Sequence, residues 1–142
     1  MIKIASFLVC SAIAGLAGAS EPQETVAAFH AALSSGDKDK AIAMMAPDIA
    51  IYESGYVERS RDEYAGHHLP EDIKFAKLAT RKVLQHTQRQ DGNLAIVWEE
   101  TETLAKLKGK NVRLLGTETT LLQKTGDHWS IVHVHWSSRK PK

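Results

Sequence analysis

Near the end of the chain two histidines stand two residues apart, His133 and His135, in the run Trp129-Ser130-Ile131-Val132-His133-Val134-His135-Trp136. In an extended strand this spacing points both imidazoles to one face. A regular strand would add Trp129, Ile131 and Ser137 to that face and leave Val132, Val134 and Trp136 on the other. Paired imidazoles can chelate a metal, serve as a general base near neutral pH, or line a polar pocket. They can equally be hydrogen-bonded residues of a wall or an interface. Glu118, one strand earlier, could orient a histidine from behind or lie solvated. Its face depends on the hairpin. A turn through Thr125-Gly126-Asp127 puts Glu118 on the face of Trp136, and a two-residue turn slips it toward the histidines.

A second set precedes these residues: Tyr52-Glu53, a charged loop with Glu58 and Arg59, then Tyr64, His67 and His68. Adjacent helical residues point about 100° apart, so His67 and His68 cannot both reach one ligand undistorted. One can reach a pocket mouth with Tyr64, or both can serve the negative pole of a helix end. Two carboxylates near two histidines suit zinc or copper, and a solvated loop is the plainer alternative. The metal set this suggests is His133, His135 and Glu53. In the acidic run Glu99-Glu100-Thr101-Glu102, Trp98 shares a face with Glu100 and Glu102, while Glu99 takes the opposite one. Cross-strand pairing with Lys77, Arg81 or Arg113 explains these acids better than catalysis. Arg139 could clamp a ligand carboxylate or simply belong to the basic tail. His30 falls on the apolar stripe of a helix and is expected to pack there. No glycine-rich phosphate loop and no G-x-S-x-G elbow is present.

The elements that must position these groups read as follows. Val26, Ala27, Phe29, His30 and Leu33 recur at helical spacing after Pro22, and Gly36 ends that helix. Asp37 caps a second, short helix that Pro47 stops. Ile49 to Tyr52 alternates as a strand, and Glu53 to Arg59 reads as a loop. Ser60 and Glu63 form a capping box for a third helix carrying Tyr64, His67 and His68, with Pro70 as its end. The remainder is β in character, with turns at Asp91-Gly92, Lys108 to Asn111 and Gly126-Asp127. Helices followed by a meander predict an α+β domain: a cone-shaped, curved antiparallel sheet with the N-terminal helices packed across it, and a pocket inside.

At 142 residues, 43% of them apolar, the chain suits one domain with a sizeable core. A net charge of +1 gives no electrostatic reason to expect nucleic acid or an anionic membrane as partner. Residues 1–19 read as a secretory signal peptide: Lys3, an apolar run from Ile4 to Leu16, then Ala17-Gly18-Ala19. The run is too short to span a bilayer of about 30 Å. Cleavage after Ala19 would leave a single domain over residues 20–142, periplasmic or secreted. Cys10, the only cysteine, would leave with the signal, so no disulfide or thiolate chemistry is expected of the mature chain.

The terminal strand Trp129 to Ser138, of the form W-x-I-V-H-x-H-x-S, resembles the last strand of nuclear-transport-factor-2-like proteins. Glu118-Thr119-Thr120 leading to Lys124-Thr125-Gly126-Asp127 fits as well, and so does Tyr52 to Gly55 followed by Glu58, Ser60, Arg61, Glu63, Tyr64 and His67 to Leu69. Within that superfamily the chain is most similar to the SnoaL-like group and to the association domain of calcium/calmodulin-dependent protein kinase II. The resemblance implies a cone-shaped α+β fold with a pocket, shared by isomerases, dehydratases, cyclases and non-catalytic binding domains. Isomerases of this kind use an Asp base with a Tyr and a protonated Asp as oxyanion donors. No Asp falls inside the strands of the meander here; Asp91 and Asp127 are in turns.

Together these readings predict a pocket for a small organic ligand, lined by Tyr52, Tyr64, His67, Trp98, Glu118, His133, His135 and Arg139, without a cofactor. A homodimer through the outer sheet face, bearing Val132, Val134 and Trp136, is expected. The alternatives are an isomerase or cyclase with a pocket histidine as base, and a periplasmic metal-binding protein.

Overall fold

The computed structural model describes residues 21–142; the predicted signal segment and Cys10 lie outside the described residues. Four helices, α1 (Pro22–Ser35), α2 (Lys38–Ala43), α3 (Arg61–Gly66) and α4 (Leu69–Ala76), accompany six strands. The strands are β1 (Met45–Glu53), β2 (Tyr56–Glu58), β3 (Ala79–Asp91), β4 (Leu94–Leu107), β5 (Lys110–Thr125) and β6 (His128–Arg139). They form one curved, unclosed sheet in the order β2-β1-β6-β5-β4-β3. Every pairing is antiparallel except β1 with β6, which is parallel. The helices lie against one face, as the α+β reading expects.

α1 forms where the apolar spacing places it. Val26, Phe29, Ala32 and Leu33 are buried, and Gly36 closes the helix at φ 79°. Only glycine takes this left-handed conformation at little cost. Asp37 caps α2 by accepting from the Lys40 amide. The core joins these residues to Ile49, Ile51, Tyr64, Leu69, Val97, Leu122, Trp129, Ile131 and Val134.

Three local expectations are corrected. Glu53 to Arg59 is no open loop: Ser54 and Gly55, both at positive φ, make a two-residue turn that pairs β2 with β1. Pro47 lies within β1, in the span between Met45 and Ala50 where pairing to β6 is interrupted. A strand can hold a residue without an N–H at such an interruption. Pro70 does not end a helix but sits in the first turn of α4, where its missing N–H is no loss.

The largest departure is in β6. The turn at Gly126-Asp127 has two residues, with Thr125 opposite His128. That register alone would bring Glu118 to the histidine face. One extra residue, Val132, then enters β6: Leu122 faces Ile131 but Leu121 faces His133. This bulge shifts the register once more, so Glu118 ends opposite Trp136.

Candidate functional site

The curved sheet and the helices across it enclose a cavity of about 540 Å³. α1 turns Ala27, His30, Ala31 and Ser34 toward it, α4 contributes Asp72, Phe75 and Ala76, and the strands contribute most of the rest. Ala27 and Ala31, one turn apart, let the helix border the space without filling it. Gly116 does the same from the sheet: a Cβ there would stand 2.6 Å from the Thr101 hydroxyl.

The sheet wall carries a charged cluster. His30 Nε2 lies 2.8 Å from Oε2 and 3.1 Å from Oε1 of Glu118. Arg81 donates to Glu118 at 3.1 Å and to Glu99 at 2.6 Å. The Thr120 hydroxyl donates to Glu118 at 2.9 Å. Burial by itself would raise the Glu118 pKa, but the His30 charge and hydrogen bond, with Arg81 and Thr120, outweigh it and hold the carboxyl at about 2. Trp136 closes the wall beside His30, and its buried indole nitrogen has no hydrogen-bond partner among the described residues.

Other carboxylates lining the cavity behave oppositely. Asp72 accepts a 2.6 Å hydrogen bond from the buried Tyr64 hydroxyl. Burial raises the Asp72 pKa, and the Tyr64 hydrogen bond opposes that rise. Glu53 is raised too, first by burial and then by the charge of Asp72. Burial and Asp72 likewise push the Tyr64 phenol up, so it stays a donor. One cavity therefore combines a carboxylate kept ionised with two that resist ionisation, which is how acid and base roles are separated in an active site.

His30, Glu99 and Glu118 place one ligand atom each within 4.8 Å of one another. Arg81 bridges the two carboxylates, so a fixed cation already supplies the positive charge a metal would bring.

The residues expected at the pocket are dispersed. Glu118 lines the cavity. His133 and His135 do not, because the Val132 bulge keeps Trp129, Ile131, Val134 and Trp136 all inward and turns both histidines outward. On that outer face Tyr52 packs edge-on against His133 and His135, at centroid distances of 5.0 and 6.2 Å, and His133 Nδ1 donates to the Ala50 carbonyl at 2.8 Å. Trp98 joins the same row through Thr119, which pairs with both Trp98 and His135. Glu53 lines the cavity, one residue along β1 from outward Tyr52, so the sheet separates it from His133 and His135 and the set cannot share a metal. Tyr64 is buried beneath Asp72, His67 is exposed beside Glu58, and Arg139 lies at a smaller depression with Leu84 and Glu100.

His30 packs beside Phe29 and Trp136, as its place on the apolar stripe predicts, but it also meets Glu118 on the cavity wall, which the spacing does not show. An ionisable side chain on an otherwise apolar helix face was itself a signal, since such a group is rarely covered without a partner. The expected pairing of the acidic run holds: Arg81 meets Glu99, and Arg113 meets Glu102 at 2.6 Å, whereas Lys77 lies against Gly36.

Comparison with known proteins agrees with this geometry. A family profile described as SnoaL-like domain matches residues 23–140. The chain belongs to that family. Among solved structures, this SnoaL-like chain is similar to a candidate ketosteroid isomerase from Shewanella frigidimarina, 37% identical, with 80% of this chain and 92% of that one covered at a TM-score of 0.77. It also resembles a candidate dehydratase of the nuclear-transport-factor-2-like family from Streptomyces avermitilis, 16% identical, covering 84% and 94% at a TM-score of 0.74. A candidate calcium/calmodulin-dependent protein kinase II association domain from Xanthomonas campestris is 22% identical, covering 84% and 89% at a TM-score of 0.70. The last two likenesses concern the fold alone. No curated protein matches this SnoaL-like sequence. No helix among its described residues is long and apolar enough to cross a membrane.

Proposed function

We propose that the chain binds a small organic molecule in this cavity and moves a proton on it, in the manner of an isomerase or dehydratase. The observation that carries the reading is the placement of the Glu118-held His30 and the Tyr64-held Asp72 on one cavity. Glu118 spans Nε2 of His30, while Nδ1 has no hydrogen-bond partner among the described residues. In this reading His30 is the base that takes a proton, and Glu118 stabilises the resulting imidazolium. Asp72, whose pKa is raised by burial, is the acid that returns a proton to the product or to a leaving hydroxyl. The apolar share of the lining, with Leu33, Phe75, Val83, Leu114 and Trp136, suits the hydrocarbon frame of a cyclic or aromatic substrate. The likeness to a candidate ketosteroid isomerase at 37% identity supports this class.

The test has two stages. Thermal melts against sterols, cyclic ketones and aromatic acids should find a stabilising ligand. Deuterium exchange into that ligand in heavy water, followed by NMR, should then occur with the wild type and fail with His30→Gln. A ligand that binds without exchange or turnover would leave a non-catalytic binding domain.

Two further readings belong here. The chain is exported, with cleavage after Ala19; N-terminal sequencing of the protein from a periplasmic fraction tests this. It forms a homodimer through the outer sheet face, where Tyr52, Leu94 and Trp98 are exposed; Val134 and Trp136, expected there from the pattern, face inward instead. Sedimentation at micromolar concentration, with Trp98→Glu as the dissociating variant, tests that.

A further inference from the structure

A second cluster, which shares no lining residue with the cavity, lies where β2 meets α3, near enough that the charges of Glu58 and His68 act on Asp72. Glu58 is the last residue of β2, and its side chain is only 5% exposed. Among the described residues no Lys or Arg pairs with it. Its partners are two imidazoles: His68 Nδ1 bonds Oε1, and His67 Nδ1 stands 3.6 Å from Oε2. Glu63 completes the group, since Glu58, Glu63 and His67 each bring a ligand atom within 4.8 Å of the others. The chain folds this way for local reasons. Ser60 caps α3 by accepting from the Glu63 amide at 3.1 Å. Glu63 accepts in turn from the Arg59 amide at 2.6 Å, which pins its side chain toward the end of β2. His67 caps the C-terminal end of α3, and its amide donates to the Glu63 carbonyl at 3.1 Å, which holds the two residues one turn apart.

We propose that Glu58, Glu63 and His67 form a binding site for a divalent transition metal of the zinc class, with His68 holding the second oxygen of Glu58. Two donors each about 2.1 Å from a tetrahedral ion stand about 3.4 Å apart. Glu58 Oε2 and His67 Nδ1, at 3.6 Å, already have nearly that separation. Two carboxylates and one imidazole are a donor set of borderline hardness, suited to zinc, and they leave a fourth position for water. The cluster differs from His30, Glu99 and Glu118 in the respect that matters: there Arg81 bridges the carboxylates, and here, among the described residues, no Lys or Arg side chain pairs with Glu58 or Glu63. His67 is 68% exposed, so an ion has a path in from solvent. His68 would act on Glu58 as outer partners act on metal-binding carboxylates, fixing its orientation. The site shares no residue with the cavity and does not depend on the proton-transfer reading.

The test is calorimetric titration of the full chain, purified without an affinity tag, with zinc chloride. One zinc should bind per chain and raise the melting temperature. His67→Gln should weaken binding more than tenfold while leaving the metal-free melting temperature unchanged, because the side chain is exposed. Glu63→Gln should weaken it similarly, and His68→Gln by about 10–100-fold, the usual effect of losing an outer partner. His30→Gln and His128→Gln should bind as the wild type does. Zinc binding of wild-type strength in both His67→Gln and Glu63→Gln would overturn the proposal. So would the absence of any binding heat and any melting shift with the wild type.

Discussion

His30 and Glu118 lie 88 residues apart in the chain, and Nε2 of one meets Oε2 of the other at 2.8 Å. The contact ties the first helix to the fifth strand and sets the chemical character of the cavity between them. Glu118 also receives Arg81 and Thr120, so a carboxylate that burial would neutralise is kept charged by three donors. Hydrogen bonds to a charged group are stronger than neutral ones, and they cost more when broken in a buried place.

That contact has a pH signature. The Glu118 pKa falls from 4.5 in the unfolded chain to about 2 in the folded one, so the folded state favours the ionised form. Its stabilisation is complete above pH 4.5 and is lost as pH falls toward 2. By linkage the amount is on the order of 3 kcal/mol. Urea denaturation between pH 7 and the acid limit should show this loss in the wild type and not in Glu118→Gln. A difference between the two proteins that is constant with pH would contradict the assignment.

Asp72 has the opposite sign. Its pKa is raised in the fold, so stability falls as pH rises from the unfolded value of 3.8 through the folded one. The Tyr64 hydroxyl limits that fall by donating to the carboxylate. Tyr64→Phe should therefore cost about 1–3 kcal/mol. The deficit should be larger at neutral pH than in mild acid, where Asp72 is more often protonated. Asp72→Asn should flatten the decline.

Arg81 separates two buried carboxylates, Glu99 and Glu118. Arg81→Met should destabilise the fold by about 2–3 kcal/mol, somewhat below the usual cost of orphaning buried charges because the arginine is partly exposed. Adding Glu99→Gln should restore part of the loss, because it removes one orphaned charge. Chemical denaturation of the two single variants and the double variant measures the coupling.

Gly116 keeps the cavity open opposite Thr101. Gly116→Ala would force the Thr101 hydroxyl to move, at about 1–3 kcal/mol for overpacking. It should also shrink the melting shift produced by any cavity ligand. Thr101→Ala in the same chain should recover both, since the atom the new methyl meets is then gone.

Much of the fold can be read from local patterns. The stripe of Val26, Phe29 and Leu33, the cap at Gly36 and the turn at Gly126-Asp127 are short-range physics, and the structure follows them; the hairpin expected at Asp91-Gly92 forms one residue later, at Gly92-Asn93, with Asp91 paired to Leu94 at the end of β3. Pro70 is harder, because the same residue stops one helix and starts another, and only the chain beyond it decides which. The acidic run in β4 was legible as paired charge because both Arg81 and Arg113 lay on neighbouring strands.

The sequence by itself determined the helix-then-meander order, the α+β class and the kinds of residue available for acid–base work. It could not determine which faces those residues take. Strand alternation carries a face assignment only as far as the next irregularity, and one extra residue at Val132 reverses it for His133 and His135. The parallel pairing of β1 with β6 and the approach of α1 to β5 join segments roughly 80 to 90 residues apart, as in the bonds from His133 to Ala50 and from His30 to Glu118. Such contacts are chosen by the packing of the whole core, which settles long-range geometry after local propensity has set the elements. The tertiary structure therefore turned the conspicuous histidine pair outward and set His30, from the apolar stripe of the first helix, against Glu118 on the cavity wall.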